Sequence, residues 1–177
     1  TREREEELIK AQWVKGVYKN IWIEQFKKMS LLAYDKADTV TCLFERARTL
    51  QIELGCPEEK IQVTPNGIDV DGFADLPGKS QDEKKIISIG AVLRVSPIKD
   101  VKTMIQAFAF AKKTVPNLKL WIMGPTDEDK KYAQECFDIV ESLGVSDIEF
   151  TGRVNVKEYL GRMDFTILTS ISEGQPL

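Results

Sequence analysis

Residues 85–124 decide the fold class, and they read KIISIGAVLRVSPIKDVKTMIQAFAFAKKTVPNLKLWIMG. The apolar, β-branched run at 85–90 is typical of a buried strand. The segment 100–113 repeats apolar residues at three- and four-residue steps, which predicts a helix with one buried face. The apolar run at 118–124 predicts another strand. Strand, helix and strand with short links predict a parallel strand pair joined by a crossover helix.

The same alternation continues toward the C-terminus. The sequence predicts a helix over 127–143 capped by Gly144, a strand at 147–151, a short helix at 156–163 and a strand at 164–169. The buried faces of the two longer helices are predicted to comprise Val101, Met104, Ile105, Phe108 and Ala111, and Tyr132, Cys136, Ile139, Val140 and Leu143. The pattern therefore predicts an α/β fold, with a parallel sheet and helices on both faces.

The first 68 residues follow a different pattern. A long amphipathic helix is predicted over 2–29, and its apolar face would carry Ile9, Trp13, Val14, Val17, Tyr18, Ile21 and Trp22. We interpret it as a core helix that packs on a large partner surface; the alternative is a partner-binding or membrane-surface helix. A strand at 37–43, a helix at 45–54 ending at Gly55 and a strand at 61–64 follow. The Asp-, Gly- and Pro-rich stretch 69–83 predicts a linker, which separates residues 1–68 from residues 84–177.

Composition excludes several classes of function. The 177 residues carry a net charge of −3, so no strong field favours nucleic acid. The absence of histidine excludes Ser-His-Asp catalysis and His-based metal sites within this chain. The three widely spaced cysteines predict buried, reduced thiols and a cytoplasmic location. No apolar run is long enough for a transmembrane helix, and the charged start does not resemble a signal peptide.

Candidate binding residues follow the predicted strands. Ligands of open parallel sheets bind beyond the carboxyl ends of the strands. Arg94 and Lys99 follow the first strand and precede a helix, an arrangement suited to a diphosphate; the alternative is two solvated loop charges. Glu173 follows the last strand, where it would either accept hydrogen bonds from sugar hydroxyls or lie exposed in a loop. The triplet Asp127-Glu128-Asp129 is interpreted as a helix start with Asp127 as N-cap, in preference to a metal-binding motif.

Several motifs occur together in a characteristic order. They are Pro65-Asn-Gly-Ile-Asp69, Phe73, Arg94 with Lys99, Gly124, Thr151-Gly152 and Ser172-Glu173-Gly174. This order resembles the GT-B-fold, retaining, nucleotide-sugar glycosyltransferases of family 4, the group 1 glycosyltransferases. The wording LRVSPIKDVKTMIQAF and TSISEGQPL is similar to the branch associated with Pel-type exopolysaccharide synthesis. The resemblance covers most of the chain and is strong from about residue 36.

The resemblance implies a place for each part of the chain. Residues 1–68 would end an N-terminal GT-B domain, 69–83 would be the hinge, and 84–177 would be part of the Rossmann-like donor-binding domain. The second glutamate of the family's E-x7-E motif would stand at position 181, beyond Leu177. The sequence is therefore expected to be a fragment of a longer protein, inactive on its own. Its exposed apolar surface would favour self-association.

The resemblance also implies roles for individual residues. Arg94 and Lys99 would hold the donor diphosphate, and Glu173 would contact the donor sugar; these three form the catalytic set. Arg153 and Val154 would lie beside the nucleobase. The remaining donor-binding residues would be Gly124, Gly174, Gln175, Pro176 and Leu177.

The implied function is the donor-binding part of a retaining glycosyltransferase of the hexosyltransferase type. It would transfer a sugar from a nucleoside-diphosphate sugar, a UDP-sugar by family habit, to a glycan or polysaccharide acceptor, without a metal or other cofactor. The acceptor would be held by the N-terminal domain, and the parent protein would work with a membrane-associated polysaccharide synthase complex. The alternatives are a GT-B-fold sugar-nucleotide epimerase and a non-catalytic nucleotide-binding or scaffold module.

Overall fold

The computed structural model describes residues 19–174. These residues form two compact units. The first comprises the described residues up to Ile68 together with Gly174, and the second comprises Asp69–Glu173. Within the described residues, no helix is both long and apolar enough to cross a membrane.

The first unit contains a two-stranded parallel sheet and two α-helices. Helix α1 covers Lys19–Lys36, strand β1 Val40–Cys42, helix α2 Glu45–Glu53 and strand β2 Ile61–Val63. The strands pair in register from Val40 opposite Ile61 to Cys42 opposite Val63. Lys60 lies just before β2, and its Nζ donates to the carbonyls of Tyr34 and Asp35 at 2.9 and 3.1 Å. These bonds tie the end of α1 to the small sheet.

The end of α2 confirms the predicted glycine cap. Gly55 has a φ of +92°, a region that L side chains rarely adopt. Its N–H donates to the carbonyl of Ile52 at 2.9 Å, and the N–H of Cys56 donates to that of Gln51 at 3.0 Å. This pair of bonds is the Schellman motif, which satisfies the last helix carbonyls.

The predicted apolar face of the first helix is wrong where it can be checked. The helix continues to Lys36 instead of ending at residue 29, and residues 2–18 of the prediction lie outside the described residues. Ile21 and Trp22 are 57% and 53% exposed, whereas Ile23 is 9% exposed. Ile23 and Tyr34 are both buried and lie about three turns apart, so they share one side of the helix. The side of α1 that is buried is therefore the one with Ile23 and Tyr34, although the predicted apolar stripe lies on another side.

The second unit is built on a four-stranded parallel sheet. The strands are β3 (Ile87–Val92), β4 (Leu118–Met123), β5 (Ile148–Gly152) and β6 (Phe165–Thr166), in the spatial order β5-β4-β3-β6. The connecting helices are α3 (Val101–Lys112), α4 (Lys130–Leu143) and the single turn α5 (Lys157–Leu160). The predicted α/β class with a parallel sheet is confirmed.

Alternate residues of β4 face opposite sides of the sheet. Leu118, Leu120 and Ile122 are buried in the core with the apolar faces of α3 and α4. Trp121 points the other way, where its ring meets Tyr159 of α5 edge-on at 5.5 Å. Helices therefore cover both faces, as predicted.

The predicted helix faces agree with the core except at one end. Val101, Met104, Ile105, Phe108, Tyr132 and Cys136 are buried, and Ala111, Ile139 and Val140 pack against them. Leu143 is 45% exposed, so its predicted burial is wrong. It occupies the last helical position before Gly144, whose φ of +62° ends α4. All three cysteines are free and buried, as predicted.

The boundaries of β3 and β6 differ from the sequence-based expectation. Strand β3 begins at Ile87 instead of residue 85, because Glu83–Lys85 form a 3₁₀ turn. Strand β6 was expected over 164–169 but covers two residues. Downstream of it the chain leaves the ladder, and the hydroxyl of Thr169 donates to a loop carbonyl, that of Lys99, at 3.0 Å. Tertiary hydrogen bonds thus replace strand pairing there.

The stretch before β3 is anchored within the second unit. Lys79 forms an ion pair with Asp164, and Glu83 forms one with Arg162. The neighbouring Asp71–Phe73 forms a 3₁₀ turn. Hinge motion of residues 69–83 stays a prediction.

Candidate functional site

The loops that follow the four strands of the second unit lie side by side at one edge. The N–H of Val95 donates to the carbonyl of Pro125 at 3.0 Å, which joins the loops after β3 and β4. The N–H of Gly124 donates to the carbonyl of Gly152 at 2.9 Å, which joins β4 to β5. The N–H of Ile171 donates to the carbonyl of Ile98 at 2.9 Å, which joins the segment after β6 to the first loop. Backbone bonds therefore fix the geometry of this edge.

An open pocket of about 360 Å³ lies at this edge. Four of the predicted site residues line it, namely Arg94, Gly124, Arg153 and Val154. The other lining residues are Val92, Leu93, Met123, Pro125 and Val156. The pocket thus combines apolar walls with two guanidinium groups, which suits a ligand that has both an aromatic and an anionic part.

Gly124 forms the closest backbone approach at the pocket. Its φ is +147°, and a Cβ at this position would lie 2.0 Å from the carbonyl oxygen of Leu93. Only glycine fits between the ends of β3 and β4 without movement of the backbone. Steric exclusion of any side chain therefore explains why this position of the motif is glycine.

Arg94 precedes a 3₁₀ turn over Pro97–Lys99, and Lys99 is the last residue of that turn. Asp100 follows with a φ of +45° and accepts a hydrogen bond from the N–H of Thr103, so it is the N-cap of α3. Among the described residues it is the one non-glycine with positive φ. The left-handed conformation of Asp100 changes the direction of the chain between this loop and α3.

Lys99 and Glu173 form an ion pair, and their side chains are 17% and 23% exposed. The Lys99 ammonium, together with the positive charge of Arg94, lowers the pKa of the Glu173 carboxyl. Neither residue lines the pocket. The predicted catalytic residues thus fall into two places: Arg94 at the pocket, and Lys99 with Glu173 beside it.

Sequence reasoning missed Glu128 as a site residue. Its carboxylate accepts from Arg94 Nη1 at 3.3 Å through one oxygen and from Arg153 Nη2 at 3.2 Å through the other. Asp127 lies 3.8 Å from the same Arg153 nitrogen. Glu128 therefore bridges two predicted donor-binding residues across the pocket mouth.

The prediction that Asp127 caps the following helix is wrong. The N-cap of α4 is Asp129, whose carboxylate accepts from the N–H of Tyr132 at 3.0 Å, and the helix begins at Lys130 instead of residue 127. Glu128 precedes the cap, so its side chain is available to the two arginines. The sequence contained a signal for this cap, because an N-cap side chain accepts from the backbone N–H two or three residues later. Asp129 stands three residues before Tyr132. Nowhere in residues 19–174 do acidic or sulfur ligands cluster as a metal site would need.

The remaining predicted residues are not placed at the pocket. Gln175, Pro176 and Leu177 lie outside the described residues. Gly174 is described and belongs to the first unit. The roles predicted for these four residues stay predictions.

Comparison with known protein families gives two matches. Residues 74–177 match the model described as "Glycosyl transferases group 1". Residues 1–59 match a domain of unknown function, DUF3492. No protein of curated function matches the chain.

Solved structures of similar fold include glycosyltransferases. HepE of Anabaena, solved with UDP and glucose, has a TM-score of 0.71 at 20% identity over 84% of this chain and 42% of that one. A glycosyltransferase of Rickettsia africae has a TM-score of 0.72 at 17% identity over 85% and 42%. The pneumococcal O-GlcNAc transferase GtfA, solved with UDP and GlcNAc, has a TM-score of 0.64 at 21% identity over 83% and 28%.

The chain spans about two fifths of the length of the first of these structures. At these identities the likeness concerns the fold, which is the GT-B type of α/β architecture. The family match is the stronger finding, because it covers more than half of the chain and includes every strand of the four-stranded sheet. The chain belongs to the group 1 family of glycosyl transferases.

Proposed function

We propose that the second unit carries the donor site of a retaining glycosyltransferase, and that the donor is a UDP-sugar. The observation that supports this most strongly is the clustering of Arg94, Gly124, Arg153 and Val154 in one pocket beyond the carboxyl ends of the strands. The solved relatives HepE and GtfA each contain UDP. The whole protein's activity, substrates and partners are part of this proposal.

Arg94 and Lys99 would stabilise the leaving diphosphate. Breaking the glycosyl bond builds negative charge on the phosphate, and fixed cations lower the barrier because they need no reorganisation as the charge develops. Arg94 offers a planar fork of donors, whereas Lys99 offers a compact charge held in the edge by the turn at Pro97–Lys99. Two such cations would perform this task without a metal ion.

Glu173 would accept hydrogen bonds from the sugar hydroxyls. In the structure its carboxylate forms an ion pair with Lys99. Donor binding would therefore exchange partners: Lys99 would turn to the diphosphate, and Glu173 would turn to the sugar. The exchange conserves charge pairing at a partly buried position, where an unpaired charge is costly.

The apolar walls near Arg153 would receive the nucleobase. Val154 and Val156 line this part of the pocket. Stacking and apolar contact of a base on such a surface leave the diphosphate near Arg94. The order base, diphosphate and sugar would then run from β5 across β3 toward β6, which matches the strand order of the sheet.

The rest of the proposed activity concerns the parent protein. Transfer would retain configuration at the sugar carbon, and the acceptor would be a glycan or polysaccharide held by the N-terminal domain. The protein would belong to the branch associated with Pel-type exopolysaccharide synthesis. The protein would act in the cytoplasm beside a membrane-associated polysaccharide synthase complex.

Isothermal calorimetry with UDP tests the donor site. Arg94→Ala and Lys99→Ala should each weaken UDP binding about tenfold or more, since hydrogen bonds to charged groups contribute about 1.5–3 kcal/mol. Lys84→Ala is the matched control, because Lys84 lies exposed before β3, at the opposite edge of the sheet. Equal affinities in all three variants would contradict the phosphate assignment. A wild-type chain that does not bind UDP would instead favour a scaffold module.

A further inference from the structure

We infer that Glu128 determines ligand specificity, and that its carboxylate favours the nucleoside-diphosphate sugar over the free nucleoside diphosphate. This inference rests on the proposed function. The structural basis is the bridge in which one carboxylate contacts the guanidinium groups of Arg94 and Arg153 at 3.3 and 3.2 Å.

The three side chains of the bridge come from three different loops. Arg94 follows β3, Glu128 follows β4, and Arg153 follows β5, and the backbone bonds between these loops hold their relative positions. Arg94 and Arg153 are 59% and 68% exposed, so their guanidinium groups are open to a ligand from the solvent side. Glu128 is less exposed, at 38%. A phosphate that binds Arg94 must therefore approach a site that already contains a carboxylate.

The local charge balance makes this carboxylate influential. Asp127 lies 3.8 Å from Arg153, so two carboxylates face two guanidinium groups at the pocket mouth. The Lys99 charge is matched by that of Glu173. Because these positive charges are balanced, the site has no large net charge. It would bind an anion through the hydrogen-bond donors of its guanidinium and ammonium groups. Removal of one carboxylate changes the balance from neutral to positive.

Repulsion from Glu128 acts more strongly on the more highly charged ligand. A diphosphate that links a nucleoside to a sugar carries about −2, because each of its two phosphorus atoms keeps one ionisable oxygen. The free nucleoside diphosphate carries about −3 at neutral pH, since its terminal phosphate has a second pKa of about 6. Like charges a few ångströms apart in a solvated site change affinity on the order of threefold per unit charge. Glu128 therefore weakens binding of the product more than binding of the donor.

Calorimetry on the full 177-residue chain tests this inference with UDP and UDP-glucose as the probes. Glu128→Gln removes the charge and keeps the side-chain shape. The variant should bind both ligands more tightly, with a gain for UDP that is about threefold larger than the gain for UDP-glucose. Added salt should shrink this difference, because it screens exposed charges. Glu128→Ala should change the ratio in the same direction.

Two control variants separate charge at the pocket from general effects. Glu128→Asp keeps the carboxylate and should keep a ratio near that of the wild type. Glu141→Gln makes the same change of net charge at an exposed position near the end of α4, and should leave both affinities unchanged. Thermal unfolding of each variant establishes that the fold is retained.

The possible results are distinguishable. An unchanged ratio of the two affinities in Glu128→Gln, with both ligands still bound, overturns the specificity role and leaves the proposed donor site intact. Weaker binding of both ligands overturns it too, because Glu128 would then position the guanidinium groups and would not select between ligands. Failure of the wild-type chain to bind either ligand overturns the proposed function and, with it, this inference.

Discussion

Lys99 and Glu173 form an ion pair although 74 positions of sequence separate them. Lys99 ends a 3₁₀ turn after β3, and Glu173 follows the segment that leaves β6. The Thr169 hydroxyl lies 3.0 and 3.1 Å from the carbonyl oxygens of Lys99 and Asp100, and the hydrogen bond that they share holds the two segments together. The pair is therefore part of a fixed edge.

This relationship predicts opposite effects of one substitution on two ligands. Glu173→Gln should weaken UDP-glucose binding about tenfold, because the carboxylate that would accept from the sugar hydroxyls is lost. The same change should strengthen UDP binding slightly, since Lys99 no longer has to leave an anionic partner. Calorimetry with both ligands measures the difference. An equal loss of affinity for UDP and UDP-glucose would contradict the sugar contact. It would show that the Lys99–Glu173 pair maintains the structure of these loops.

Gly124 predicts a steric effect at the pocket. In Gly124→Ala the new Cβ would meet the Leu93 carbonyl oxygen, which is 2.0 Å away, and the φ of +147° would be strained. We expect a loss of unfolding free energy of about 2 kcal/mol or more, together with weaker UDP binding. Chemical denaturation measures the first quantity, and calorimetry measures the second.

Gly78→Ala provides the control for that experiment. Gly78 has no atom within 4 Å of its Cβ position and no positive φ. Its substitution should leave stability within about 0.5 kcal/mol and leave UDP affinity unchanged. A Gly124→Ala variant as stable as Gly78→Ala would contradict the close approach of the two strand ends.

Two similar substitutions of Asp100 should give variants that differ in stability. Asp100→Asn keeps an N-cap oxygen and tolerates the positive φ of 45°, so it should cost less than about 0.5 kcal/mol. Asp100→Ala loses the bond from the Thr103 N–H and places alanine in a left-handed conformation, so it should cost about 1–3 kcal/mol. Urea denaturation distinguishes the two. Equal stability would mean that neither the cap nor the backbone conformation contributes.

Local patterns predicted the helices of the second unit because each segment carries one apolar stripe, and that stripe is the side that packs in the core. Met104, Ile105 and Phe108 are buried as their spacing indicates. The same reasoning gave the wrong side for Ile21 and Trp22, since the side of a helix that is covered depends on its neighbours. Strand β6 was predicted too long for a related reason: its pairing partner and the loop it meets are distant in sequence.

The site was predictable in part for the same physical reason. Loops that follow parallel strands must share one edge, so Arg94 was expected there without coordinates, and the family resemblance added Gly124 and Arg153. All three line the pocket. Glu128 was missed because its role depends on contacts with residues 34 and 25 positions away. Its two neighbours are also acidic, and such a triplet before a helix has a sufficient local explanation in the helix dipole.

Stability should fall on the acid side because several carboxyl groups bind protons less readily in the folded chain. Backbone and side-chain hydrogen bonds from Ser80, with the Arg162 guanidinium, lower the pKa of Glu83 to about 2, and the Lys79 ammonium lowers the pKa of Asp164. Below about pH 5 the unfolded state therefore takes up protons first, so stability decreases as pH falls toward about 2. Thermal unfolding across this range measures the slope. Glu83→Gln should reduce it, and an identical slope would contradict the Glu83 assignment.

Cys136 predicts a loss of stability on the alkaline side, with a different cause. The thiol is fully buried on α4, and burial raises its pKa to about 11. In the unfolded chain a cysteine ionises near 8.5, so above that pH the unfolded state loses a proton that the folded state keeps. The folded state then binds more protons, and stability falls as pH rises, by about 2 kcal/mol at about pH 10.

Cys136→Ala should lower stability at neutral pH through the lost packing, yet it should flatten this alkaline slope. The absence of histidine leaves the range between the two slopes nearly flat. Burial also raises the pKa of Cys56 and of Tyr132, so part of the alkaline slope should remain in Cys136→Ala. An alkaline slope that is equally steep in Cys136→Ala would locate the titrating group elsewhere.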